Sequence, residues 1–149
     1  MITFQNGNMF AYQFDALINP VNCKGVMGKG LALEFKQKYP QNFMAYRKIC
    51  DEHLLQPGSI YVTHFRPDPI IINFATKDHW KNPSKIEYIQ KGMQQMVELL
   101  NTHRITSIAI PKIGCGLGGL NWNEVLPIIT DKLKDFDINI TIFGENTTI

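Results

Sequence analysis

The chain has 149 residues, 44% of them hydrophobic and 19% charged, and a net charge of +2. That is the make-up of one ordinary globular domain, large enough to bury roughly 70% of the surface its unfolded form exposes, which excludes disordered and fibrous classes. No apolar run approaches the ~18 residues of a membrane span, the opening "MITFQNGNMF" lacks a signal-peptide layout, and so small a charge does not by itself announce nucleic acid.

Taken in chain order, "ITF" (2–4) and "ALIN" (16–19) read as strands, and the first helix is predicted over "GKGLALEFKQKY". A second helix, "NFMAYRKICDEH", follows Pro40, and strands "SIYVTHF" (59–65) and "IIINFAT" (70–76) come next. At Ser84, "SKIE" reads as a capping box in which the Ser84 hydroxyl and the Glu87 carboxylate satisfy each other's backbone amides. Ile86, Ile89, Met93, Met96 and Leu100 then recur at spacings of three and four, a core-facing helical stripe. "SIAIP" (107–111) and "INITIF" (138–143) complete the strands, with a last helix from about Asn123 to Phe136 that confines Pro127 to its first turn. Alternation of this kind predicts an α/β fold, a mixed or largely parallel sheet covered on both faces, in one domain spanning residues 1–149. Cys23, Cys50 and Cys115 show no CxxC spacing and join no histidine cluster, so they read as reduced thiols of a cytoplasmic protein with no bound metal.

Two glycine-rich stretches carry the functional signal. "VNCKGVMGKG" (21–30) leaves the strand "ALIN" and enters a helix, and "IGCGLGGLNW" (113–122) does the same after "SIAIP". Both fall at carboxyl ends of strands, where open α/β sheets bind ligands. Glycine lets backbone amides approach an anion, and the helix N-terminus behind adds partial positive charge, so two such loops suit a diphosphate held from both sides. "GVMGKG" is not a nucleoside-triphosphate loop. Gly114, Gly116 and Gly119 match GxGxxG, but only one strand follows them, which argues against a dinucleotide-binding domain.

The strings "GNMF", "DALINPVNCKGVMGKGLALEFKQKYP", "INFATKDHWKNPS" and "IAIPKIGCGLGGLNW" resemble the macrodomain family, ADP-ribose-binding modules of three-layer α/β/α architecture, nearly end to end. "NCxGVMGKGxAxxFK" and "NFxTKxHW" are most similar to its DarG branch, DNA ADP-ribosyl glycohydrolases that act as antitoxins to DarT-type DNA-modifying toxins. The resemblance implies ADP-ribose and ADP-ribosylated single-stranded DNA as ligands, a DarT-like toxin as a partner, no cofactor, and a monomer. Gly25, Val26, Met27, Gly28, Lys29 and Gly30 would form the first diphosphate loop. Ile113, Gly114, Cys115, Gly116, Leu117, Gly118 and Gly119 would form the second. Asn22 would face the distal ribose. Asn8 and Met9 would border adenine, with Asn8 accepting from its amino group, and Phe143 would stack on it.

In the same resemblance Lys77 takes the place of a catalytic lysine, either attacking the anomeric carbon or protonating the departing base. Attack requires a neutral amine, which burial or a cation such as Lys81 would favour. Gly118 stands where terminal ADP-ribose glycohydrolases carry an aspartate, which points away from acidic side-chain esters. His79 is the accessory acid or base. With Trp80, Lys81 and Lys85 it mixes cations and an aromatic surface in the way single-stranded DNA binding uses. The rival expectations are a reader that binds ADP-ribose without turnover, and a hydrolase of protein-linked ADP-ribose or of ADP-ribose 1''-phosphate.

Overall fold

A computed structural model describes residues 1–144. Six strands form one sheet: β1 (Ile2–Gln5), β2 (Ala16–Val21), β3 (Ile60–Thr63), β4 (Ile70–Ala75), β5 (Ser107–Pro111) and β6 (Asn139–Phe143). Their spatial order is β1-β6-β5-β2-β4-β3, and only the β3–β4 pair is antiparallel. The sheet is therefore mixed. Strands β2, β4 and β5 are buried along almost their whole length, as helices on both faces require.

Helices α1 (Gly30–Lys38) and α2 (Pro40–Asp51) follow β2, and α3 (Ile86–Thr102) and α4 (Trp122–Leu133) follow β4 and β5. The main core joins β2, β4, β5 and β6 to Ile89, Met93 and Met96 of α3 and to Val125, Ile129 and Leu133 of α4. Val21 and Ala75 meet Tyr46 and Cys50 of α2 in a second cluster, while Leu17, Ile71 and Ala109 meet Phe35 of α1 in a third. The α3 stripe needs Gly92 at its centre, because a Cβ there would lie 2.1 Å from the Phe74 ring.

Two local expectations are corrected. The cap of α3 is Lys85, with no side-chain bond, so the Ser84–Glu87 box does not form. The Ser84 amide instead donates to the Gly118 carbonyl at 2.9 Å, and this tertiary bond draws Ser84 out of capping position and buries its hydroxyl without a partner. The last helix begins at Trp122, capped by the Asn121 side chain, which places Pro127 inside the helix beyond its first turn. All three cysteines are free. No helix among the described residues is long and apolar enough to cross a membrane, and no group of three metal-ligating side chains occurs among them.

Candidate active site

Because β2, β4, β5 and β6 run parallel, their carboxyl ends share one edge of the sheet, and the loops leaving them converge there. Strand β2 lies between β4 and β5, so Lys77, just beyond β4, and Lys112, just beyond β5, flank the first glycine loop at a strand separation of about 10 Å. A cleft of about 590 Å³ opens between them, a volume suited to a nucleotide-sized ligand. Among the described residues its walls carry Lys29, Lys77 and Lys112 and no carboxylate. Such a cleft selects anions.

The first loop is shaped by Asn22. Its Oδ1 accepts from the Lys24 amide at 2.9 Å and the Val26 amide at 3.4 Å, and its Nδ2 donates to the Val26 carbonyl at 2.7 Å. These bonds curl residues 22–26 over the end of β2, and Gly25, at φ +80, packs its back against Arg47 and Cys50. The loop then delivers Gly28, Lys29 and Gly30 to the cleft at the start of α1. The cap of α1, Lys29, makes no side-chain bond, and the first turn carries no acid, so the helix's opening amides are left to a bound anion.

In the second loop a short 3₁₀ turn (Gly116–Gly118) follows Cys115. Gly114, Cys115, Leu117 and Gly118 line the cleft. Burial raises the Cys115 thiol pKa, while the Lys112 charge lowers it, so the two side chains feel each other across the wall. The Ser84–Gly118 bond ties this loop to the segment that carries Lys77.

Lys77 donates to the Trp80 carbonyl at 3.2 Å, and burial holds its ammonium below the ordinary lysine pKa. Lys81, expected to contribute to that lowering, does not figure among its causes. Trp80 is 45% exposed and stacks on His79, ring centroids 3.8 Å apart, at the cleft wall. The Lys81 amide donates to His79 Nδ1, which leaves Nε2 to carry the proton of the neutral ring. Opposite, the Lys24–Asp78 ion pair at 3.5 Å and the Cys23 amide bond to the Asp78 carbonyl at 2.8 Å join the first loop to the Lys77 segment.

Of the residues singled out in the sequence, Asn22, Val26, Gly28, Lys29, Gly30, Lys77, Trp80, Gly114, Cys115, Leu117 and Gly118 come together around the cleft. Met27 and Ile113 instead turn into the core, and Gly25, Gly116, Gly119, His79, Lys81 and Lys85 stand behind or beside the walls. The three residues assigned to adenine lie elsewhere. Asn8 caps a short 3₁₀ turn, accepting from the Phe10 amide at 2.9 Å, Met9 is buried, and Phe143 packs against Tyr12 and Phe14. Sequence reading missed Pro20, Val21, Leu31, Ala32, Thr76, Pro111 and Lys112. Thr76 and Pro111 end predicted strands and Pro20 and Lys112 directly follow such ends, and that position was the available signal.

The Macro domain family profile matches residues 18–129. The chain belongs to the macrodomain family. This macrodomain is 42% identical over 147 residues to a Mycobacterium tuberculosis DNA ADP-ribosyl glycohydrolase, covering 96% of this chain and 42% of the relative. It is 42% identical over 137 residues to a Thermus aquaticus protein of the same name, covering 90% of this chain and 38% of that one. The chain thus spans about two fifths of the length of these relatives. Among solved structures, the macrodomain of M. tuberculosis DarG superposes with a TM-score of 0.93 at 38% identity over 98% of this chain and 99% of that one. A Thermosipho africanus DarTG structure in complex with ADP-ribose superposes with a TM-score of 0.91 at 31% identity, covering 99% of this macrodomain and 42% of the longer chain.

Proposed function

We propose that this macrodomain hydrolyses ADP-ribose from a base of single-stranded DNA, thymine for preference, and so reverses the modification made by a DarT-type toxin in the cytoplasm. The observation that carries the reading is Lys77, partly buried beside the first glycine loop in an anion-selective cleft that both glycine loops line, with an exposed Trp80 beside it. The relatives named DNA ADP-ribosyl glycohydrolase support the substrate. The two loops and the open end of α1 would hold the diphosphate, and Asn22 and Lys77 the distal ribose. The adenine end is assigned to Asn8, Met9 and Phe143, beyond the cleft as it stands.

The glycosidic bond breaks through a transition state with oxocarbenium character at the anomeric carbon. The lowered pKa of Lys77 raises the share of neutral amine, and donation to the Trp80 carbonyl directs its lone pair away from that oxygen. Attack forms a C–N bond to the ribose as the bond to the base breaks. The base leaves with its electron pair and takes up a proton, and water then releases the ribose from the lysine. The stacked His79–Trp80 pair offers a platform for the departing or neighbouring base, and Lys81 and Lys85 a cationic rim for DNA phosphates.

The decisive experiment incubates the protein and its Lys77→Ala variant with an oligonucleotide carrying ADP-ribose on thymine and follows release by mass spectrometry. Release by the parent and none by the variant, with ADP-ribose still bound, is expected. Binding without release by either protein overturns the assignment in favour of a reader or of a protein-linked substrate.

A further inference from the structure

Tyr46 is wholly buried, yet its hydroxyl reaches the functional loop: it lies 2.6 Å from the Asn22 carbonyl oxygen and 3.0 Å from Asn22 Oδ1. Burial raises its pKa, so the group remains a protonated donor at every physiological pH. Both oxygens it faces belong to one residue of the cleft wall.

The helix that carries Tyr46 is itself anchored by polar bonds inside the protein. Asn42 and Asn73 exchange amide hydrogen bonds at 3.1 and 2.8 Å, and the Thr63 hydroxyl donates to Asn42 Oδ1 at 2.7 Å. Asn42 and Tyr46 are four residues apart and share a helix face. The network thus fixes α2 against β3 and β4, and one turn later α2 presents a hydroxyl to the end of β2.

We propose that Tyr46 is a positioning residue of the active site, which anchors Asn22 by its carbonyl and by the Oδ1 edge of its amide, and through it holds the first glycine loop. A side-chain amide can be turned over, and only one orientation suits these neighbours. The Lys24 and Val26 amides require oxygen on their side and the Val26 carbonyl requires nitrogen on its own, while the single Tyr46 proton is shared between the Asn22 carbonyl at 2.6 Å and Oδ1 at 3.0 Å. One Asn22 N–H then remains uncommitted for a ligand in the cleft. Without the Tyr46 hydroxyl the amide loses a partner that does not move with the loop, and the misplacement falls on a transition-state contact.

The inference rests on Asn22 facing substrate, so the test includes Asn22→Ala alongside Tyr46→Phe and the double variant. Single-turnover release from the ADP-ribosylated oligonucleotide and a steady-state kcat and KM are measured on each. Tyr46→Phe is expected to lower kcat by about ten- to a hundredfold with KM nearly unchanged, and to add no further loss in the Asn22→Ala background. Full activity in Tyr46→Phe with impaired Asn22→Ala overturns the inference and leaves the site reading standing, and losses that multiply in the double variant overturn it too. Unimpaired Asn22→Ala removes the site reading and the inference together. If Tyr46→Phe does not fold, the parent protein supplies the test by nuclear magnetic resonance. A slowly exchanging Tyr46 hydroxyl proton should shift with the Asn22 amide on adding ADP-ribose, and a hydroxyl signal indifferent to the ligand overturns the inference.

Discussion

The contact between Ser84 and Gly118 sets up a stability experiment with a built-in control. A Cβ at residue 118 would lie 2.6 Å from Ser84 Oγ and 3.3 Å from Ser84 Cβ. Backbone strain does not enter, since Gly118 is not among the positive-φ glycines. Gly118→Ala therefore carries the cost of overpacking, about 1 to 3 kcal/mol. Ser84→Ala deletes the buried, unpartnered hydroxyl and is expected to be neutral or slightly stabilising. In the double variant the 2.6 Å clash disappears and the 3.3 Å contact remains, which a small shift absorbs. The coupling should thus recover on the order of 1 to 2 kcal/mol of the single-variant loss. Urea unfolding of the four proteins reads it directly, and each kcal/mol corresponds to roughly 2 to 4 °C in thermal midpoint for a domain of this size. Additive effects within about 0.5 kcal/mol would refute the close approach of the Ser84 side chain to residue 118 as the source of the loss.

Trp80→Ala should weaken binding of modified single-stranded DNA by about 1 to 3 kcal/mol while leaving free ADP-ribose within a few-fold, as paired titrations would reveal; equal losses for both ligands would place Trp80 in the ADP-ribose site instead. The pH dependence follows from Lys77, whose folded pKa lies below its ordinary 10.5 because burial penalises the ammonium. The folded state gives up this proton first, so stability rises with pH between the folded value and 10.5, and single-turnover release by a neutral nucleophile rises up to the folded value. A pH–rate series with a falling limb in that window would assign Lys77 to general-acid chemistry.

Period and punctuation account for what was legible in the sequence. The apolar runs ending at Asn19, Thr76, Pro111 and Phe143 announced four strands, which the structure pairs in parallel, and glycines at 25, 28, 30, 114, 116, 118 and 119 marked the loops that leave two of them. What escaped depends on partners distant in sequence. The Ser84 box is locally complete, yet a single bond from 34 residues away redirects it. Asn42 and Asn73 fall in a predicted helix and a predicted strand, and only tertiary structure places them in one buried network. The same holds for Tyr46, which in sequence is one aromatic on an amphipathic helix. Phe143 shows the limit from the other side: a strand-end aromatic is as consistent with a packed cluster as with a base, and here Tyr12 and Phe14 lie against it.

The composition of the cleft constrains the chemistry further. Glycoside hydrolysis in most enzymes uses two carboxylates, one to protonate the leaving group and one to attack or to activate water. No carboxylate among the described residues lines this cleft, and the acid nearest Lys77 in sequence, Asp78, is engaged with Lys24 at 3.5 Å. Water therefore has no ready base at the wall, whereas an amine of lowered pKa is in place. A bound diphosphate would offset the charges of Lys29 and Lys112, and on the proposed reading a nucleophile that engages the carbon as the bond to the base lengthens takes up the positive charge developing at the ribose. On that reading the lysine-lined cleft holds the diphosphate, and the partly buried Lys77 amine supplies a covalent route to the ribose.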